Sequence, residues 1–287
     1  MRNEQEMYDL IVGVANSDER VRAVYMNGSR TNPNVKKDKY RDYDIVFVVT
    51  QTSSFMKDKS WISIFGDIAI VQEPDSNDLG WGLEHDFTRS YTWLMLFADG
   101  NRIDLGIKVL DCALEDYLSD TLCTKLLDKD NILPEIPVSN DSLYHIKLPT
   151  KQQYNGCCNE FWWCLNNVAK GIARDQLPYA QRMYIQIVHI ELEKMVEWYI
   201  AMQYDFAIST GMWGKYFKKY LSPELYEQYA KTYSDYNYEN LWSAIFTACD
   251  LFRRIAKQVA MNLKYTYNQK DDDGIMKYLE KMKNDAL

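Results

Sequence analysis

Residues 26 to 49 read MNGSRTNPNVKKDKYRDYDIVFVV and combine a glycine turn, a pair of aspartates and an apolar run. A Gly-Ser-Arg turn at 28 to 30 follows the apolar run at 21 to 26, which is the order expected for a strand and then a tight turn. Asp-Tyr-Asp at 42 to 44 then leads into β-branched and aromatic residues at 45 to 49, a run typical of a buried strand. Because side chains alternate along a strand, we expect the two aspartates to share one face.

The turn and the paired aspartates together predict a metal-nucleotide site. Asp42 and Asp44 would repel each other unless a cation lay between them, and Mg²⁺ commonly takes one or two carboxylates plus substrate phosphates. Gly28 allows the backbone to approach a phosphate closely, and the Ser29 hydroxyl can hold its oxygens. Alone, a Gly-Ser pair is most often a simple turn, and an Asp-x-Asp is most often a solvated strand entry. Their order and spacing favour the site.

Apolar spacing predicts an α/β region over about residues 1 to 145. Residues 2 to 16 are predicted to form an amphipathic helix, because their apolar positions recur at i, i+3, i+4 and i+7. The Asp-Gly at 99 to 100 lies between apolar runs and predicts a hairpin. Beyond the two strands already described, strands are predicted at Asp67 to Gln72, Tyr91 to Ala98 and Arg102 to Val109.

From about Lys151 onward the apolar spacing is helical. The acidic run at 271 to 273 is interpreted as a solvated loop before a terminal helix. The fold class predicted is therefore α+β, with a mixed β-sheet flanked by helices at 1–145 and a helical bundle at 146–287. Helices are predicted at Phe161 to Arg174, Gln181 to Met202 and Asn240 to Leu263.

Asp104 lies in the centre of the predicted strand RIDLGI at 102 to 107. A carboxylate among apolar residues is costly to bury without a partner. A metal ion or a proton-transfer role would offset that cost. A salt bridge to Arg102 or Lys108 is a purely structural alternative, and the residues alone leave both interpretations open.

Several segments carry a family resemblance. The Gly-Ser turn and Asp-Tyr-Asp resemble the GS…DxD signature of the polymerase-β-like nucleotidyltransferase superfamily. The longer segments also resemble the aminoglycoside 6-adenylyltransferases, which modify streptomycin. They are NGSRTNPN at 27 to 34, RDYDIVFVV at 41 to 49, LMLFADGNRIDL at 94 to 105 and FWWCLNNVAKGIARDQLPYA at 161 to 180.

The resemblance implies an ATP- and Mg²⁺-binding nucleotidyltransferase domain at 1–145 and a helical substrate-binding domain at 146–287. It implies transfer of AMP from ATP to a hydroxyl of an aminoglycoside, in particular the 6-hydroxyl of streptomycin, with pyrophosphate release and antibiotic resistance. Alternatives are a nucleotidyltransferase acting on another acceptor (another aminoglycoside, a lincosamide or a protein hydroxyl) and a catalytically silent nucleotide-binding protein.

The same resemblance assigns roles to the candidate site residues. Asp42 and Asp44 would hold the nucleotide-bound Mg²⁺, while Asp104 matches the third carboxylate of the family and would bind a second ion or accept the substrate proton. The residues expected to hold the phosphates are Gly28, Ser29, Arg30 and, on the helix that borders the nucleotide in the family, Lys170.

The cationic substrate predicts acidic and aromatic contacts, because carboxylates and aromatic faces recognise guanidinium groups. Most exposed acids and core tryptophans have no such role, and His85 is given none. The candidates are Trp81, Glu84, Asp86, Glu160 and Trp163.

Composition bounds the remaining possibilities. The 287 residues are 47% hydrophobic and carry a formal charge of −8, which disfavours a general nucleic-acid binder. The six cysteines form no CxxC pair and are interpreted as reduced packing thiols. The N-terminus lacks a signal-peptide pattern and no apolar run is long enough to span a membrane. We therefore expect a cytoplasmic protein, a monomer or weak homodimer, whose partners are ATP and a small-molecule aminoglycoside.

Overall fold

A computed structural model describes residues 1–286. The chain divides into two compact units, Met1–Leu143 and Tyr144–Leu287. The first contains a six-stranded mixed sheet with flanking helices, and the second is helical among the residues described. The α+β class predicted from the sequence is confirmed, whereas the functional roles given to the two parts stay predictions.

The sheet of the first unit has the strand order β3-β4-β5-β2-β1-β6. Only its central pair, β2 with β5, is parallel, and the other neighbouring pairs are antiparallel. The strands are β1 Val21–Asn27, β2 Tyr43–Val49, β3 Ile68–Gln72, β4 Ser90–Phe97, β5 Arg102–Val109 and β6 Cys123–Asp128. The α-helices of this unit are α1 Glu4–Ser17, α2 Ser53–Lys57, α3 Pro74–Gly80 and α4 Leu110–Ser119.

The two faces of the sheet carry different cores. One face packs against α1, α2 and the 3₁₀ turn Lys59–Phe65, and buries Phe47 and Trp93. The opposite face packs against α4 over a smaller core that contains Tyr25 and Tyr117. The predicted N-terminal helix is confirmed, and Asn3 begins it with a capping box. The predicted Asp-Gly hairpin between β4 and β5 is confirmed as well.

The second unit is built around long helices. Phe161 on α5 stacks on Phe252 of α10 with ring centroids 3.8 Å apart, at the centre of one large apolar core. The helix predicted at Gln181 to Met202 contains a π turn at Tyr184–Val188, between α6 and α7. The α-helices are α5 Lys151–Ala173, α6 Leu177–Met183, α7 His189–Ala201, α8 Phe217–Tyr220, α9 Pro223–Ala230, α10 Tyr238–Leu263 and α11 Gln269–Ala286.

The interpretation of residues 271 to 273 as a solvated loop was wrong. These residues lie in the first turns of α11, and the Asp272 side chain is only 1% exposed. Arg253 donates to both of its carboxylate oxygens, at 2.6 and 2.7 Å, and the Tyr267 hydroxyl donates at 2.8 Å. A carboxylate that is paired in this way is buried at low cost, and only the tertiary structure supplies the pairing.

Candidate active site

The three predicted carboxylates converge at one end of the central parallel pair. Asp44 on β2 lies directly opposite Asp104 on β5, and Asn27 on β1 lies opposite Asp44 on its other side. Residues paired in this way project from the same face of a sheet. Asp42 immediately precedes β2, so it enters the same cluster.

Gly28 is required by the approach of Asp44. It has φ +77°, and a Cβ at this position would lie 2.2 Å from Asp44 Oδ2 and 3.0 Å from its Cγ. Its N–H donates to the Leu122 carbonyl oxygen at 3.1 Å. Gly28 therefore contributes the space left by its missing side chain. Because its N–H is already hydrogen-bonded, Ser29 is the residue of this turn that is expected to contact a phosphate.

Arg102 bridges two of the carboxylates. Its Nε and Nη2 donate to the two oxygens of Asp104, both at 2.7 Å, and its Nη1 lies 3.4 Å from Asp42 Oδ2. The salt bridge that the sequence left open as an alternative role of Asp104 is thus formed with Arg102, while Lys108 pairs with Asp116. The Arg102 guanidinium therefore brings positive charge to Asp42, one of the two carboxylates between which the sequence predicts a metal cation.

Burial and the charges of neighbouring carboxylates raise the pKa values of Asp42 and Asp44. Burial, followed by the charges of Asp104 and Asp42, raises the pKa of Asp44 to about 6. Burial also raises the pKa of Asp42; Arg102 opposes that change and Asp104 adds to it. The cluster therefore favours any additional positive charge.

The residues fit a metal that arrives with a nucleotide better than a metal held by the protein alone. Among residues 1–286, no group of three or more His, Cys, Asp or Glu side chains is arranged to hold an ion. Asp42 and Asp44 supply the one or two carboxylates that Mg²⁺ takes when phosphates complete its shell. Next to Asp44, the Asn27 amide oxygen is buried without a hydrogen-bond partner in the described chain, so a bound ligand could satisfy it.

Arg30 is engaged within the protein. Its side chain is 3% exposed and pairs with Glu4 at 2.9 Å. Its Nε and Nη2 donate to the carbonyl oxygens of Asp42 at 3.0 Å and Arg41 at 2.8 Å, and its guanidinium stacks on Tyr43. The phosphate contact predicted for Arg30 would require it to leave these partners. In this structure the Arg30 guanidinium holds the backbone that enters β2, and its phosphate contact stays a prediction.

Two of the predicted ligand contacts in the second unit line one groove. Trp163 and Lys170, both on α5, border a hollow of about 540 Å³ between α5 and α11. The Lys170 ammonium donates to Asn166 Oδ1 at 2.7 Å. Glu160 is exposed on the same helix and accepts from Cys164 Sγ at 3.3 Å. The roles predicted for these residues stay predictions.

The remaining substrate candidates lie in the exposed segment between α3 and β4. Trp81 is 84% exposed, and Glu84 is exposed beside it. Asp86 accepts from the backbone N–H and the hydroxyl of Thr88, which closes a local turn and lowers the pKa of Asp86. The contacts of Asp86 are those of a turn residue, and the predicted role of this segment in substrate binding is untested.

Similarity to known proteins assigns this chain, with its cluster of three carboxylates, to a family. A family model described as streptomycin adenylyltransferase matches residues 1–282. The chain belongs to the streptomycin adenylyltransferase family. Members of this family are nucleotidyltransferases, so the resemblance inferred from the sequence is confirmed and the protein is an enzyme of that class. The expected nucleotide co-substrate for an adenylyltransferase is ATP.

Relatives of this adenylyltransferase match over nearly their full length. Proteins named aminoglycoside 6-adenylyltransferase from Bacillus subtilis, Campylobacter jejuni and Staphylococcus aureus are 39%, 37% and 34% identical to it. The matches cover 98%, 95% and 93% of this chain and 98%, 93% and 94% of the relatives. A crystal structure of an aminoglycoside 6-adenyltransferase from Bacillus subtilis is 34% identical and covers 98% of this chain and 99% of that chain, with a TM-score of 0.48.

The position of Asn27 in the site was not predicted from the sequence, whereas the pairing of Arg102 with Asp104 is one of the two roles that the sequence left open for Asp104. Alternation along β5 does place Arg102 on the face of Asp104, so its pairing could be anticipated. The position of Asn27 beside Asp44 depends on the register between β1 and β2, which the sequence does not reveal.

In the part of the chain that the structure describes, every helix is too short or too polar to cross a bilayer.

Proposed function

We propose that this protein transfers AMP from ATP to a hydroxyl group of an aminoglycoside, in particular the 6-hydroxyl of streptomycin, and releases pyrophosphate. The observation that carries the proposal is the in-register pair Asp44 and Asp104, with Gly28 packed against Asp44. Membership of the streptomycin adenylyltransferase family and full-length similarity to the named relatives support the substrate class.

The reaction depends on positioning and on neutralisation of phosphate charge. Asp42 and Asp44 would hold the magnesium carried by ATP, which would supply positive charge to the phosphate oxygens. The Ser29 hydroxyl would hold an oxygen of the leaving pyrophosphate. The substrate oxygen forms a bond to the α-phosphorus, and the bond from that phosphorus to the bridging oxygen of pyrophosphate breaks. The leaving group takes the electron pair of the broken bond.

Asp104 would receive the proton of the attacking hydroxyl or act as a further metal ligand. Both roles predict lost activity after Asp104→Ala, so Mn²⁺ binding is the measurement that separates them. If Asp104 is the proton acceptor, Asp104→Asn should lose activity while the number of bound Mn²⁺ ions, counted by electron paramagnetic resonance in the presence of ATP, stays the same. If Asp104 is a ligand, one ion should be lost.

Pyrophosphate release with ATP and Mg²⁺ tests the proposed reaction. The panel is streptomycin, spectinomycin, kanamycin and lincomycin, with Asp104→Ala as the site variant. Asp111→Ala, which changes an exposed carboxylate on α4, is the control. We expect release with streptomycin, abolished by Asp104→Ala and retained by Asp111→Ala. Silence across the panel despite metal-dependent ATP binding would refute the antibiotic assignment and direct attention to protein acceptors.

The helical unit is proposed to contribute substrate contacts through Glu160 and Trp163 and a triphosphate contact through Lys170. Trp81 and Glu84 are proposed as further contacts to the cationic groups. A reaction that consumes ATP fits the cytoplasm, and we propose that location and a monomer or weak homodimer.

A further inference from the structure

The sheet face that carries the carboxylates continues outward over β4 and β3. On β4, Leu94 lies opposite Asp104 and Leu96 lies opposite Arg102. The next strand places Gln72 opposite Leu94 and Ile70 opposite Leu96. Residues paired across neighbouring strands share a face, so this surface is continuous with the catalytic cluster. We name it the acceptor shelf, defined by Ile70, Gln72, Leu94 and Leu96, with Arg102 at its inner edge.

The shelf is apolar and open to solvent. Ile70 is 64% exposed and Leu96 is 41% exposed, and together with the other shelf residues they line a hollow of about 290 Å³. The opposite face of β4 is fully covered, since Trp93 and Met95 have no exposed surface. Neighbouring exposed aliphatic side chains beside an active site favour a surface that a ligand covers.

The in-line geometry of phosphoryl transfer indicates on which side of Asp44 the acceptor hydroxyl lies. The Gly-Ser turn follows β1, so the leaving pyrophosphate is expected on the β1 side of Asp44. In an in-line displacement the attacking oxygen and the leaving oxygen lie on opposite sides of the phosphorus. The sheet order β3-β4-β5-β2-β1 therefore directs the attacking hydroxyl toward β5 and β4. Asp104 lies on β5, next to the shelf.

The chemistry of the shelf matches one ring of the acceptor. A sugar or cyclitol ring presents C–H groups on its faces and hydroxyl groups around its rim. Leu94, Leu96 and Ile70 offer apolar contact to a ring face, and the Gln72 amide can bond a rim hydroxyl. The Arg102 charge is compensated by Asp104 and Asp42, so it does not repel a cationic acceptor strongly.

We propose that the acceptor shelf binds the ring of the aminoglycoside that carries the reacting hydroxyl and directs that hydroxyl toward Asp104. This inference rests on the proposed function and adds residues that determine acceptor affinity. It assigns no role to the shelf in nucleotide binding.

Calorimetric titration of streptomycin tests the shelf without turnover. The protein is saturated with Mg²⁺ and an ATP analogue in which a methylene group replaces the oxygen between the α- and β-phosphates, and wild type is compared with the double variant Ile70→Gln/Leu96→Gln. Leu118→Gln is the control, because Leu118 on α4 is 60% exposed and lies outside the shelf. We expect the Kd of streptomycin to rise about tenfold in the double variant only, because apolar contact area is lost. The Kd of the ATP analogue should not change.

Three results would overturn the proposal in distinguishable ways. An unchanged Kd of streptomycin in the double variant refutes the shelf and leaves the proposed function intact. Failure of wild type to bind any aminoglycoside of the panel refutes both. A wild-type dimer that the double variant abolishes, with no change in the Kd of streptomycin, assigns the shelf to a second copy of the chain.

Discussion

At the residue scale, Gly28 is a position where a single added carbon atom would clash with a carboxylate of the site. Gly28→Ala would place a methyl group against Asp44 Oδ2 and impose a positive φ on alanine. We expect activity to fall at least about a hundredfold, because a small displacement of a catalytic group is sufficient for such a loss. The left-handed conformation should also cost about 1 to 2 kcal/mol of stability.

The matched control for this glycine is Gly13→Ala on α1. A Cβ at Gly13 would meet no atom within 4 Å, and its backbone is helical. We expect this variant to keep full activity and to gain about 0.5 to 1 kcal/mol of stability. Steady-state kinetics and thermal unfolding measure both quantities. Equal activity in the two variants would contradict the packing of Gly28 against Asp44.

Arg102 forms salt bridges with two of the three carboxylates, and its substitution should change both stability and metal binding. Arg102→Gln removes the guanidinium that holds Asp104 and Asp42. Because this pair is partly exposed, we expect the metal-free protein to lose only about 1 kcal/mol of stability. Mn²⁺ should bind more tightly, since an internal competitor for the carboxylates is gone. Unfolding in EDTA and a Mn²⁺ titration measure the two effects, and weaker Mn²⁺ binding would show that Arg102 assists the metal.

At the scale of elements, the parallel pairing of β2 with β5 brings Asp44 against Asp104 and makes stability depend on pH. The pKa of Asp44 is about 6 in the fold against an ordinary value of 3.8. The folded protein therefore binds more protons than the unfolded chain between these values, so its stability falls as the pH rises through this window. In the metal-free protein, Asp44→Asn should remove that part of the dependence and raise the Tm at pH 7.

The measurement is the Tm in EDTA at pH 5 and pH 7 for wild type and Asp44→Asn. The same variant should bind Mn²⁺ more weakly, and in wild type the affinity for Mn²⁺ should decline as the pH falls below about 6, because metal ligands must be ionised. Identical pH profiles of the Tm in the two proteins would contradict the raised pKa of Asp44.

At the scale of the whole molecule, the two units have separate apolar cores. Phe47 belongs to a core within the first unit, and Phe252 belongs to the core of the second. We expect Phe47→Ala and Phe252→Ala each to destabilise its own unit by about 3 to 5 kcal/mol, because both rings are fully buried. Tyr236→Ala, at a 78% exposed position, is the neutral control. In calorimetry the two core variants should lower the Tm of different unfolding transitions. An identical decrease in the Tm of a single transition would contradict separate cores.

Five of the six strands, the long helices and the shared face of Asp42 and Asp44 were predicted from the sequence, whereas the edge strand β6 was not. Their signals are local, because the alternation of a strand and the 3.6-residue spacing of a helix are visible within about ten residues. The motifs around Gly28 and Asp104 were sufficient to identify the family before the fold was known. The sequence by itself therefore determined the class of fold, the family and the candidate carboxylates.

The tertiary structure decided which groups meet. The register of β2 with β5 places Asp104 opposite Asp44, and the order of the sheet places Leu94 and Leu96 beside that pair. Burial of Asp272 and engagement of Arg30 depend on partners 19 and 26 positions away in the sequence. No local pattern encodes such pairings, because they form only when distant segments pack together and exclude water from the charges between them.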